Sequence, residues 1–208
     1  MMRMSKRKKS NRKINTRDLI ERILIVCEGG KTEPNYFRKF PIDKSKYHVE
    51  SRGEGRITKS LVERAIEIQE IASPPFNIVW CVFDKDDNSD EVFNEARQIA
   101  TANNIEVAYS NEAFELWYLL HFNYYDSAMS RRQYQEKLTE LLGYKYEKNS
   151  ENMYQELEDK QLDAIRNAER LLNDHFERNG RIEPAKDNPS TTVHKLVEEL
   201  KKRILRHK

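Results

Sequence analysis

A chain of 208 residues, 38% hydrophobic and 35% charged, suits one large domain or one domain with a helical extension, its core confined to a few strands and helix faces. The absence of any 18-residue apolar stretch argues against a membrane-spanning helix, and no apolar segment follows the basic start as it would in a secretory signal, so the expected location is the cytoplasm. The net charge of +2 hides an asymmetry: Met1 to Arg17 carries eight Lys or Arg and no acid, and removing these from 37 basic residues leaves 29 against 35 acidic, a remainder of −6. A basic arm over about 1–20 on an acidic body is read either as a polyanion-binding element or as a solubilising tail. Cys27 and Cys81 both fall in apolar runs, which suits buried free thiols in a reducing compartment.

The first element after the arm is the apolar run Ile23–Cys27, rich in β-branched residues and cut off by Glu28-Gly29-Gly30. Five apolar residues are too few for a typical helix and suit a strand covered on both faces. Thr32 is expected to cap a short helix with Glu33 and Pro34 in its first turn and Tyr36, Phe37 and Phe40 facing inward. A short strand is expected over 47–51. From Thr58 a helix follows, with Leu61, Val62, Ala65, Ile66, Ile68 and Ala72 at helical spacing, stopped at Ser73-Pro74-Pro75. A third strand over 77–83 ends in Asp84-Lys85-Asp86-Asp87. Ser89 or Asp90 caps the next helix, and Ile105–Tyr109 is the fourth strand.

This strand–helix alternation predicts an α/β fold with a mostly parallel four-stranded sheet flanked by helices. From about residue 111 helices take over. Ala113–Phe122 is apolar nearly all round and reads as a buried helix. Helices near 131–142 and 161–178 follow, the latter with Leu162, Ile165, Ala168, Leu172 and Phe176 as its apolar face and Asn179-Gly180 as its stop. Pro189 and Ser190 are expected to open the last helix. No composition break marks a second independent domain, so 21–208 is read as one unit with a helical C-terminal extension.

Two buried parallel strands ending in carboxylates bring Glu28 and the Asp84–Asp87 cluster to the end of the sheet where α/β proteins place ligands. Gly30-Lys31-Thr32 resembles the end of a P-loop, but that motif needs a glycine at position 25, which is Ile25, and Glu28 would oppose a phosphate. Asp84-Lys85-Asp86 also suits phosphatases with an aspartyl nucleophile, although those carry the pair on the first strand. Clustered carboxylates repel unless a cation neutralises them, and a hard divalent ion with oxygen ligands, Mg2+ or Mn2+, answers that need. The plainer account is that Asp84, Asp86 and Asp87 cap the following helix; it leaves Glu28 unexplained. Lys31 and Lys85 are candidates for contact with phosphate or nucleic acid.

Four segments, IVCEGGKTEPNYF, VWCVFDKDD, SNEAFELWYLLHF and NPSTTVHKLVEEL, together resemble the RloB-like family, bacterial proteins linked to restriction and phage-defence loci, over residues 25–200. The resemblance implies a Toprim-type core, in which Glu28 acts as general acid/base or metal ligand while Asp84 and Asp86 hold magnesium. The expected catalytic residues are therefore Glu28, Asp84 and Asp86, and the metal set is those three with Asp87 and Glu115. The expected activity is metal-dependent phosphodiester hydrolysis on DNA or RNA in an anti-phage system. The alternative is a catalytically inactive nucleic-acid-binding or regulatory subunit. Family context adds a partner ATPase encoded nearby, and a homo-oligomer is compatible with both readings.

Glu115 is the only carboxylate of the apolar run 113–122, and a buried unpaired carboxylate is costly. It must meet a base, a hydrogen-bond donor or a metal, and a buried salt bridge is the first expectation. His121 and His194 are expected to be packed or hydrogen-bonded rather than catalytic.

Overall fold

The computed structural model describes residues 20–55 and 57–204, so the basic arm to Arg17 lies outside the described residues. The sheet is built from β1 (Glu21–Cys27), β2 (Tyr47–Gly53), β3 (Ile78–Asp84) and β4 (Glu106–Asn111), all parallel, in the order β2-β1-β3-β4. A two-residue β5 (Ser190–Thr191) joins the β4 edge antiparallel, so the sheet has five strands rather than the expected four. Its cement is hydroxyl chemistry. Thr191 Oγ1 donates to Tyr109 O at 2.9 Å and lies 3.1 Å from Ser110 Oγ, and Thr192 Oγ1 accepts from Tyr109 N–H at 3.0 Å. A two-residue strand held this way has no alternation to read, which is why Pro189–Ser190 looked like a helix start. The last helix, α8 (Val193–Lys201), begins after it.

Alternation along each strand feeds two cores. Ile23, Ile25, Cys27, Trp80, Val82 and Ala108 face one side, Leu24, Val26, Val79, Cys81, Phe83 and Tyr109 the other. The second side is covered by α2 (Thr58–Ile71) and α3 (Asp90–Ala102), through Leu61, Val62, Ala65, Phe93 and Ala96. The first is covered by α1 (Thr32–Arg38), α4 (Glu115–Leu120), α5 (Arg131–Leu142), α6 (Met153–Leu157), α7 (Gln161–Asn179) and α8. Both faces buried explains why β1 and β3 read as continuous apolar runs. Cys27 and Cys81 are buried free thiols, one on each side. Among the described residues no helix is long and apolar enough to cross a membrane.

Two helix readings need correction. α4 keeps only the centre of the expected 113–122 helix, although Ala113 and Phe114 are buried beside it. In α7, Leu162 and Phe176 are 65% and 55% exposed; the helix rests instead on Ala164, Ile165, Ala168, Leu171 and His175. Ile165 and Ala168 of the expected face are buried, and Ala164, Leu171 and His175 complete it in place of Leu162 and Phe176.

Candidate carboxylate site

Glu28 is the first residue past β1, and its N–H continues the ladder to Val82 O at 2.9 Å. Because β1 and β3 are neighbours, with Cys27 opposite Val82, Glu28 leaves its strand level with Phe83, one residue short of Asp84 at the end of β3. Glu28 Oε2 accepts the backbone N–H of Asp84 at 3.2 Å. Burial pushes the Glu28 carboxyl up to about 7; Glu33 adds to the rise, and the Asp84 N–H bond, Arg131 and Lys148 oppose it. Asp84 is held well above the ordinary carboxylate range by burial and then by Glu33, Glu115 and Glu28.

Glu33, which the sequence placed only as a first-turn acid of α1, therefore belongs to the site. It is 5% exposed, and its Oε2 has no hydrogen-bond partner among the described residues. Burial and then the Glu115 charge raise its pKa, while Lys148 and the Gly29 N–H pull it down. The Gly29-Gly30 turn is shaped by this carboxylate: a Cβ at Gly29 would lie 2.1 Å from Glu33 Oε2. From the other side, a Cβ at Gly53 would lie 2.5 Å from Gly30 O and 2.6 Å from Gly29 O, so the end of β2 seals the turn only as glycine. Thr32 does not cap α1. Its hydroxyl donates to Lys148 O at 2.6 Å and ties the helix to the 143–152 loop.

Glu115 opens α4, 2% exposed. Its partner is not a base, which corrects the salt-bridge expectation: Tyr146 Oη donates to Glu115 Oε1 at 3.4 Å, and the charges around it are Glu33 and Asp84. Tyr134, from α5, places a buried hydroxyl near Asp84 and Glu115. Since no buried cation among the described residues is stranded by its loss, Glu115→Gln should change metal-free stability by less than about 1 kcal/mol, or raise it. Urea denaturation in EDTA measures this; a loss of about 3 kcal/mol or more would mean a hidden cationic partner.

Asp86 and Asp87 do not join this group. Asp86 pairs with Arg131 and Asp87 Oδ2 lies 3.1 Å from the same guanidinium. Lys85 is committed to the start of α3, its Nζ 3.3 Å from Asp90 and bonded to Asn88 O. Lys31 is exposed in the loop after Gly30. His121 is buried with Nδ1 2.8 Å from Trp117 O, and His194 is buried in α8; both are depressed to about 4 by burial, as packed histidines are.

The donor chemistry fits a hard divalent ion: Glu28, Glu33, Asp84 and Glu115 are all oxygen donors, and Glu33 Oε2 is a buried acceptor without a donor. As the side chains stand, no three His, Cys, Asp or Glu among the described residues converge as a finished ion cage. Arg131, Lys148, Tyr134, Tyr146 and Glu33 were missed by sequence reasoning. Only Glu33 left a signal there, a charge among the residues of a short helix that is otherwise largely buried.

Fold and site define an α/β protein with a buried carboxylate centre at the C-terminal ends of its central parallel strands. The sequence model of the RloB-like protein family matches residues 23–200, and the chain belongs to that family. No curated protein and no solved structure matches it.

Proposed function

We propose that this RloB-like protein is a metal-dependent nuclease of a bacterial anti-phage defence system, built on a Toprim-type core. The observation that supports this most is the contact of Glu28 with Asp84 at adjoining strand ends, with Glu33 and Glu115 buried beside them. Asp84, Glu33 and Glu115 would hold Mg2+ or Mn2+, which when bound polarises a phosphoryl oxygen and offsets the charge that develops on it.

The chain's own residues supply the rest. Glu28, poised near neutrality, can take a proton from a water attacking phosphorus in line and return it to the leaving oxygen. Lys148 and Arg131, whose charges draw the Glu28 pKa down, would meet the phosphate backbone of DNA or RNA. Tyr146 and Tyr134 would orient Glu115 and Asp84. An ATPase encoded nearby is the partner that the family resemblance suggests, and cytoplasmic action follows from the same reading.

A catalytically silent nucleic-acid-binding or regulatory subunit is the second reading, favoured by the pairing of Asp86 with Arg131. Incubation of the purified chain with supercoiled plasmid, single-stranded DNA and tRNA separates the two. Cleavage of at least one substrate, only with Mg2+ or Mn2+ and lost in Glu28→Gln, is the expected result. Binding without cleavage under every metal condition would establish the silent subunit.

A further inference from the structure

Arg131 lies across two acidic turns, the one after β3 and the one after β4. Its guanidinium pairs with Asp86 and reaches Asp87 Oδ2 at 3.1 Å and Glu112 Oε1 at 3.8 Å. The turns are joined beneath it, with Asp86 N–H donating to Glu112 O at 3.2 Å. Asp86 sits at φ 45°, a left-handed conformation that L side chains other than Asn and Asp rarely adopt. Its Oδ1 also accepts the Asp87 N–H at 2.6 Å. The Asp86 carboxylate is thus occupied twice, once by its own turn and once by Arg131.

The arginine is well placed to leave. It starts from a fixed point, since Ser130 and Gln133 form a capping box at the head of α5. Its side chain remains 35% exposed, so the guanidinium can swing into solvent without opening the core. A guanidinium and a divalent ion cannot share one carboxylate face without strong repulsion.

We propose that Arg131 is a displaceable resident cation: it keeps Asp86 and Asp87 out of the buried carboxylate group, and a divalent ion that draws on either carboxylate has to displace it. This rests on the metal-dependent reading above. It accounts for a DxD pair at the end of β3 whose second member is engaged by an arginine.

Calorimetric titration of the full chain with Mn2+ tests it without recourse to activity. Arg131→Gln should bind Mn2+ about tenfold more tightly than the native protein. Arg131→Lys should fall between the two. Arg132→Gln, which removes an exposed arginine paired with Glu136 in its own helix, should match the native protein. In an Asp86→Asn background the gain from Arg131→Gln should vanish. Arg131→Met, which keeps the aliphatic stem, gives the same comparison if the glutamine variant is unstable in urea. Equal Mn2+ affinity in the native and Arg131→Gln proteins would overturn the competition and leave the metal reading standing. A gain that survives Asp86→Asn would also overturn it, since the effect would then be long-range charge. Absence of Mn2+ binding in every protein would defeat the metal reading, and the competition with it.

Discussion

Asp84→Asn is expected to lower metal-dependent cleavage by about a thousandfold while leaving the metal-free protein at least as stable as the native one. Asp84 stands at the meeting point of the site: Glu33, Glu115 and Glu28 all raise its pKa, after burial itself. Asparagine keeps the shape and removes the charge, so the remaining acids lose a repulsive neighbour and a bound cation would lose a donor. The backbone N–H that holds Glu28 Oε2 survives the change, so a fall in rate would not come from releasing Glu28. Turnover on plasmid with Mn2+, set beside urea midpoints in EDTA, measures both. Native activity in Asp84→Asn would end the assignment. A large loss of metal-free stability would mean that the carboxylate has a structural role instead.

In the metal-free protein Glu28 should cost stability as pH rises from about 5 to 7, the reverse of what paired surface carboxylates produce, so the native protein should lose ground to Glu28→Gln over that range. Glu28 is raised from its ordinary 4.5 to about 7, chiefly by burial. The folded protein therefore keeps a proton that the unfolded chain gives up between those values. Its contribution is whole below 4.5 and is lost as pH climbs through about 7, by an amount on the order of 3 kcal/mol at most, since each unit is worth about 1.4 and part of the group stays solvated. Glu33 and Asp84 shift the same way, while His121 and His194, depressed to about 4 by burial, add stability as pH rises from about 4 to 6.5, so the Glu28 part is read as a difference between proteins. Asp43, Glu183 and Glu199 are lowered by hydrogen bonds and ion pairs, and they cost stability only as the solution becomes more acid than their unfolded values. Glu28→Gln should remove the Glu28 part of this dependence, and saturating Mn2+ should reduce it in the native protein. Urea midpoints at about pH 5, 6, 7 and 8 decide it. A difference between the native and Glu28→Gln midpoints that is level or moves in favour of the native protein from about pH 5 to 7 would contradict the buried-carboxylate site.

Strand and helix periods in the sequence determined the α/β class, the four parallel strands and the placing of Glu28 and Asp84 at strand ends, because a strand buried on both faces has to read as an unbroken apolar run. The composition of the Ala113–Phe122 run likewise determined that Glu115 would be buried. Tertiary structure alone decided which acids share a site. Glu33 enters it because the glycines at 29 and 53 let the β1 turn close beneath its carboxylate. Asp86 and Asp87 stay with Arg131, a residue 44 positions away from Asp87, because the turn after β3 bends through a left-handed residue toward the head of α5. β5 is decided in the same way: two polar residues become a strand only when the hydroxyls of Ser110 and Thr191 and the Tyr109 backbone meet across some 80 residues. Periodicity reports which face of an element is buried. It carries no information on which side chains from distant elements meet at the end of a sheet, since that depends on register, turn conformation and the space a missing Cβ leaves.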